Sequence, residues 1–497
     1  PVAHTDAIHR STAASFSADT HTMKESGMPT TVIPGRKTSW LPDPTFYPSP
    51  RLAAEAPPET LAYVALVHPN PESGAPDALG VIDCDPDSAT FAQITYRLDL
   101  PHAGDELHHY GWNACSASLC PYAPHPHIRR RYLVLPGLRS SRIYIVDTEP
   151  DPGRPQIVKT IEPDELAAKT GYSRPHTVHC GPDGIYVSAI GNADGDAPGG
   201  VFILDHDTFE PLGAWEIDRG PQRLAYDFWW HLGWDVMLTS EWGTPNSVEN
   251  GLDPEVLMKQ GYGRDLHVWD LRRRRHQRSL RLGDDAQFVL ELRPAHHPSR
   301  RYGFAGVVLN LSDLSSSIWM WHFRDGDWQV REVIRIPAEP ANADLLPPAL
   351  KPFNAVPPLV TDINLSLDDR FLYVSCWGSG ELRQYDVSDP FHPEFTGSVH
   401  LGGIVGRAAH ASGPLSGGPQ MIELSRDGRR VYVTNSLYRT WDNQFYPEGM
   451  DGWLARLDVG ANGGIAQSDF LVRFDGHRAH QIRLGGGDAS SDSFCFG

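Results

Sequence analysis

The sequence predicts an all-β protein, a seven-bladed β-propeller whose ring is closed by pairing of N- and C-terminal strands. Three observations carry this expectation. A short apolar or alternating run that ends in Asp and a turn recurs seven times: LGVID at Asp83, IYIVD at Asp147, VFILD at Asp205, LHVWD at Asp270, IWMWH at His322, LRQYD at Asp386 and LARLD at Asp458. The intervals are roughly 50 to 70 residues, too short for separate domains and regular enough for copies of one supersecondary unit. The flanks of each copy read strand, Asp-containing turn, strand, most clearly in TDINLSLDDRFLYVS from Thr361 and QMIELSRDGRRVYVT from Gln420. They are rich in β-branched and aromatic residues, whereas helical periodicity is confined to pieces such as PDELAAK near Pro163.

Taken in order, residues 1–57 are rich in Thr, Ser, His and Pro without a sustained period, and read as a partly irregular N-terminal tail draped on the rest. Residues 58–497 form a single propeller domain. Each blade is a four-stranded antiparallel meander, and facing blades hide most strand edges. The first strands fall at ELHHYGWNAC, RPHTVHC, RLAYDFW, QFVLELR, VTDINLS, PQMIELS and AHQIRL. The last of these has no partners after it. LAYVALV from Leu61, LGVID and FAQITYRLDL from Phe91 supply strands two to four, so the closing blade joins both ends of the chain.

First strands line the central channel of a propeller, so their side chains converge there. The closing blade stands beside the ELHH blade, which stands beside the HTVHC blade. Thus His480, His108 or His109, and His176 or His179 are expected to meet on one side of the channel. Adjacent residues of a regular strand face opposite ways, so one of His108 and His109 binds directly unless a bulge intervenes; His176 and His179, an odd number apart, obey the same rule. A lone strand histidine is most often structural, but three neighbouring first strands carrying one favour a transition-metal site. Imidazoles suit Cu, Zn, Fe and Ni, and a calcium site would instead need carboxylates and carbonyls.

Asp105, Glu106, Glu241 and Asp362 are candidates to orient those imidazoles or move protons, with an ordinary strand-end carboxylate as the alternative for the last two. Cys115 and Cys180 each close a histidine-bearing strand. As thiolates they would be nucleophiles or Cu(I) ligands, and as thiols they would be small core residues. Cys115 and Cys120 could pair, although the CxxC spacing is absent. Trp112, Trp229, Trp230, Trp242 and Trp377 are expected to pack blade against blade or wall an apolar pocket. The long connections at about 243–263 and 403–418 are expected to cover the channel mouth.

Composition excludes other classes. With 62 acidic and 43 basic residues the formal charge is -19, which repels nucleic acid and anionic lipid. The Arg272–Arg275 run reads as a solvated turn. No stretch approaches the roughly 18 consecutive apolar residues of a membrane span, so a soluble protein with no membrane partner is expected. Six cysteines are too sparse for a disulfide-built scaffold and agree with a reducing, cytoplasmic setting. The alternative is a periplasmic or exported protein whose leader was removed before Pro1.

DELHHYGWNAC, HTVHC, LAYDFWW with SEW, TDINLSLDDRFLYVSCW, LRQYDVSDP, GGPQMIELSRDGRRVYVTNSLY, WDNQFYP and AHQIRLGGGD together resemble the selenium-binding protein family, which includes bacterial and animal methanethiol oxidases. The resemblance runs from about residue 58 to the end. It implies a copper centre and oxidation of methanethiol with O2 and water to formaldehyde, hydrogen sulfide and hydrogen peroxide. The family's paired histidines match His108 and His109, its HxxH matches His176 and His179, and its C-terminal histidine matches His480. There are departures: the cysteine associated with selenium in animal members falls near Ala92, CSSC becomes CSASLC, and a cysteine in GGDCSSD becomes Ala489.

The expected function is therefore a copper-dependent thiol oxidase acting on a small volatile thiol and O2, with Glu241, Asp362, Cys115 and Cys180 as candidate catalytic groups. Self-association into a homo-oligomer is left open. The alternatives are a non-catalytic propeller that binds selenium or thiols, and a metal-dependent hydrolase of the lactonase kind.

Overall fold

The computed structural model describes residues 42–121 and 125–497; most of the expected tail, 1–41, lies outside the described residues. Seven four-stranded antiparallel sheets are present, as the repeats require, with one additional two-stranded ladder of Glu339–Pro340 and Ala355–Val356. In the first blade the order from the channel outward is Gly111–Trp112, Tyr132–Pro136, Ile143–Asp147 and Gln156–Ile161. The second runs from Tyr172–Gly181 to Pro211–Ala214, and the fourth from Ala286–Pro294 to Asp327–Ile336.

All seven repeat signatures lie on third strands. The reason is local. Asp83, Asp205, Asp270 and Asp386 each accept a hydrogen bond from a backbone N–H two or three residues on, so a strand running into such an Asp stops and turns. Third strands are buried on both faces, as in Ile143–Asp147 and Gly200–Leu204. Fourth strands such as Gln156–Ile161 and Glu394–His400 are less buried and carry polar or charged residues, among them Lys159 and Glu394, on the outer edge.

Among the described residues the core is not one mass but seven apolar layers, each between neighbouring blades, plus an eighth cluster to one side and a small ninth of Phe46, Ala114 and Ile128. Trp112, Trp229 and Trp230 pack between blades, whereas Trp242 and Trp377 belong to the eighth cluster. The closing blade forms as expected: Arg478–Leu484 is its inner strand and pairs with Leu61–Val67, Ala62 opposite Leu484 and Val67 opposite Arg478.

The eighth cluster is built from long connections. Val248 and Tyr262 come from 243–263, Leu346 and Leu350 from 337–358, Ile404 from 403–418, and Trp441 and Phe445 from the helix Arg439–Phe445. They pack with Tyr226, Trp242 and Tyr438 into an apolar cap. The Arg272–Arg274 turn is tied to Asp235 and Asp270, in keeping with a solvated connection. Of the expected tail, 42–57 is docked: Ala53 is fully buried, and Asp43 accepts a hydrogen bond from Arg130 N at 2.9 Å. Among the described residues no helix is long and apolar enough to cross a membrane.

Candidate metal centre

The segment expected to be one strand over 105–115 is strand only at Gly111–Trp112. Ahead of it the backbone is irregular, with Glu106 in the left-handed region at φ 59°. That conformation is held by its partners: Leu138 N donates to the Glu106 carbonyl at 2.9 Å, and the Glu106 carboxylate takes Arg439 N at 2.7 Å and the Arg439 guanidinium at 2.9 Å. Leu107 N donates to Asp77 at 2.8 Å, and Asp105 is gripped by Arg142 and Tyr144 at 2.9 and 2.6 Å. Asp105 and Glu106 therefore fix the loop and anchor the cap helix rather than touching an imidazole.

Freed from strand alternation, His108 and His109 turn the same way, their rings 5.1 Å apart; this corrects the expectation that only one faces the site. His480 stacks on His108 at 3.7 Å, and His176 lies 3.9 Å from His109. Ligand nitrogens of His108, His109 and His176 lie within 4.8 Å of one another. All four rings are at most 2% exposed. His179 is not among them: past a register shift between Pro175 and Val178 it faces the neighbouring blade, 4.5 Å from the ring of Trp229 and 5.3 Å from Phe228.

The donor set fits a late transition metal. His480 Nδ1 lies 2.6 Å from the Ser436 carbonyl, so it carries the hydrogen and leaves Nε2 with a lone pair. His176 Nδ1 lies 3.0 Å from Thr177 Oγ1. Nε2 of His108, His109, His176 and His480 has no hydrogen-bond partner among the described residues, and the first three residues form a group close enough to share one cation. Burial, and then the neighbouring imidazoles, hold His108, His109 and His176 well below the usual histidine range, and burial takes His480 to about 3. All four are neutral near pH 7, the form that ligates.

A roof of aromatic rings closes the site. Tyr226 lies 4.1 Å from His176, Tyr438 5.9 Å from His108, and Trp242 5.5 Å from Tyr226. Glu291, on the fourth blade's inner strand, stands 3.6 Å from His109 Nε2, and its Oε1 has no hydrogen-bond partner. Burial and the nearby Asp227 carboxylate push Glu291 well above the ordinary carboxyl range. Sequence reasoning missed this residue, although QFVLELR was read as a channel strand.

The carboxylates singled out in the sequence lie elsewhere. Asp362 accepts from Arg293 at 3.1 Å and Ile422 N at 2.7 Å, reaching Glu291 only through Arg293, which is 3.1 Å from Glu291. Glu241 accepts from Arg264 N and Asp265 N, both at 3.1 Å, and pairs with His267 at 3.0 Å, all within its own blade. Cys115 and Cys180 are bonded to each other, and Cys120 is bonded to Cys495. This corrects two expectations: Cys115 and Cys180 offer no thiolate, and Cys115 does not pair with Cys120. It also removes the support that sparse cysteines lent to a reducing compartment.

The 56kDa selenium binding protein (SBP56) family matches residues 40–495. The chain belongs to this selenium-binding protein family. Within the family, the Homo sapiens methanethiol oxidase is 39% identical over 475 residues, covering 90% of this chain and 97% of the relative. Selenium-binding protein 2 of Mus musculus is 38% identical with the same coverage. An X-ray structure of a hypothetical selenium-binding protein from Sulfolobus tokodaii superposes with a TM-score of 0.90 at 57% identity, covering 92% of this chain and all of the other. A putative 6-phosphogluconolactonase from Bacteroides uniformis, at 10% identity and TM-score 0.51 over 86% of this chain and 100% of that one, shares the fold alone. The lactonase likeness therefore adds nothing to a hydrolase reading, whereas membership of the selenium-binding protein family agrees with the resemblance that the histidine motifs carried.

Proposed function

We propose that this chain is a copper-dependent methanethiol oxidase, converting methanethiol, O2 and water to formaldehyde, hydrogen sulfide and hydrogen peroxide. The observation that carries the reading is the convergence of four neutral imidazoles, each with an unpartnered Nε2, under an apolar roof. The names of the relatives supply the substrate.

His108, His109, His176 and His480 would hold the metal through Nε2. Copper there would supply one-electron chemistry toward a thiol and O2. The residues of the chain do the rest. Ser436 and Thr177 fix the orientation of His480 and His176. Tyr226, Tyr438 and Trp242 offer apolar walls that suit a one-carbon thiol and exclude bulk water, which strengthens every charge interaction inside. Glu291 holds a proton on its carboxyl beside His109 and is placed to deliver it to reduced oxygen or to departing sulfide.

A non-catalytic binder working through cysteine fits less well. Four of the six cysteines are in disulfides, and Cys84 and Cys376 are buried with thiols pushed up to about 12. Copper analysis with a peroxide assay distinguishes the readings. About one copper per chain is expected, with methanethiol-dependent peroxide, and His176→Ala should lose metal and peroxide together, at a cost of about 100-fold or more in copper affinity. Full turnover after complete chelation, or a His176→Ala variant with both copper and activity intact, would sink the oxidase as formulated.

A further inference from the structure

The Cys115–Cys180 bond joins the two backbone segments that carry the imidazoles: Cys115 follows His108 and His109, and Cys180 ends the strand that holds His176. Beside it lies a small pocket, separate from the imidazole cluster, of about 30 Å³. Its walls are apolar, with Ile128, Trp230 and Leu232 among them, and the indole of Trp230 donates to the Cys180 carbonyl at 2.8 Å, which pins the sulfur-bearing backbone to the wall.

Two histidines also line this pocket. His125 and His206 meet edge to face at 4.5 Å. His206 is 8% exposed, and its Nε2 lies 3.3 Å from the Gly181 carbonyl, so Nε2 carries the hydrogen. The remaining nitrogen, Nδ1, then holds a lone pair, and it has no partner among the described residues. A buried basic nitrogen without a partner, next to a disulfide in an apolar pocket, matches one ligand chemistry: a small molecule with a weakly acidic hydrogen on a nucleophilic atom.

We infer that this pocket is a thiol–disulfide exchange site for a small alkyl thiol, with Cys115–Cys180 as the reacting bond and His206 as the group that receives the S–H. The thiol enters neutral and its hydrogen is held by His206 Nδ1. As its sulfur bonds to one cysteine sulfur, the Cys115–Cys180 bond breaks, and the proton passes through His206 to the departing cysteine sulfur. The products are a mixed disulfide and one free cysteine thiol. A second thiol molecule repeats the attack on the mixed disulfide, leaving Cys115 and Cys180 as thiols and releasing a dialkyl disulfide, so two thiols supply the two electrons and the protons balance. Burial and then His125 lower His206 to about 4, which keeps it in the accepting form at neutral pH. The exchange requires neither a metal nor oxidase turnover. Its consequence reaches the imidazoles, because opening the bond removes the covalent tie between the segments of His109 and His176.

The test uses the full chain, purified without reductant and exposed without oxygen to methanethiol or, separately, to glutathione, then quenched by alkylation and mapped by peptide mass spectrometry. Methanethiol should open Cys115–Cys180 and leave a methylthio group on one of these cysteines, at least about tenfold faster than glutathione, which the pocket cannot admit. Cys120–Cys495 should stay closed in the same samples, and His206→Phe should slow the methanethiol reaction about tenfold while Cys120–Cys495 remains closed. Equal rates for the two thiols, both disulfides opening together, no opening, an unchanged rate in His206→Phe, or free Cys115 and Cys180 before any thiol is added would each overturn the inference. Because the readout is a peptide mass, a protein without copper or oxidase activity gives the same answer, and the two readings can fail separately.

Discussion

Glu291 combines two properties that no other carboxyl described above shares: it is in reach of a cluster imidazole, and one of its oxygens is unpartnered. If it handles a proton during turnover, Glu291→Gln should keep the shape and the copper and lower kcat for methanethiol about 100-fold, with KM changed by less than about twofold. Steady-state kinetics at matched copper content read this directly, and an unchanged kcat removes Glu291 from the reaction. The residue scale is also where the sequence was least legible. His480 could be placed by strand order, but neither His108 and His109 nor His176 and His179 could be apportioned, because the alternation rule presupposes a regular strand, which Glu106 breaks in the first case and the register shift between Pro175 and Val178 interrupts in the second. Glu291 carries no local mark: a Glu within QFVLELR looks the same whether it faces the channel or an adjoining blade, and only the bulge between Val289 and Leu292 settles its facing.

The elements were far more legible. An Asp that stops a strand by capping its turn recurs at a fixed place in the blade, so Asp83, Asp147 and Asp386 mark third strands in the sequence itself. Two cap segments, 243–263 and 403–418, were visible as connections too long for a blade turn. The other two were not: 337–358 contains only short 3-10 turns and a two-residue ladder, and the Arg439–Phe445 helix is too brief for periodicity to show. The closing strand makes the most consequential element-level prediction. Ile482 is 1% exposed in the layer between the sixth and closing blades. Ile482→Ala should cost about 3 kcal/mol in chemical denaturation, and a loss below about 1 kcal/mol would mean that the ring is not held there.

For the whole molecule, buried ionisable groups make stability depend on pH in two opposed ways. The four imidazoles have folded pKa values below their unfolded ones, so the unfolded chain binds protons more readily and stability is lost as pH falls below about 6.5 toward the folded value, about 3 for His480. Asp362, Glu291 and Glu423 are shifted upward by burial, so the folded chain holds their protons and stability is lost as pH rises above about 4.5. Denaturation midpoints of the metal-free protein should therefore fall on both sides of a maximum, and His480→Gln should flatten the acid limb alone. An unchanged acid limb would mean that His480 is not the buried neutral base its surroundings make it. One feature of the ring reaches into biosynthesis. The inner strand of the closing blade brings His480 from near the C-terminal end of this chain to His108 near the other, so on the ribosome the four donors never coexist until the last strand has emerged and slid into place. Before that only His108, His109 and His176 are on hand, and the fourth imidazole joins them when the ring closes, so a centre built from all four would report that closure.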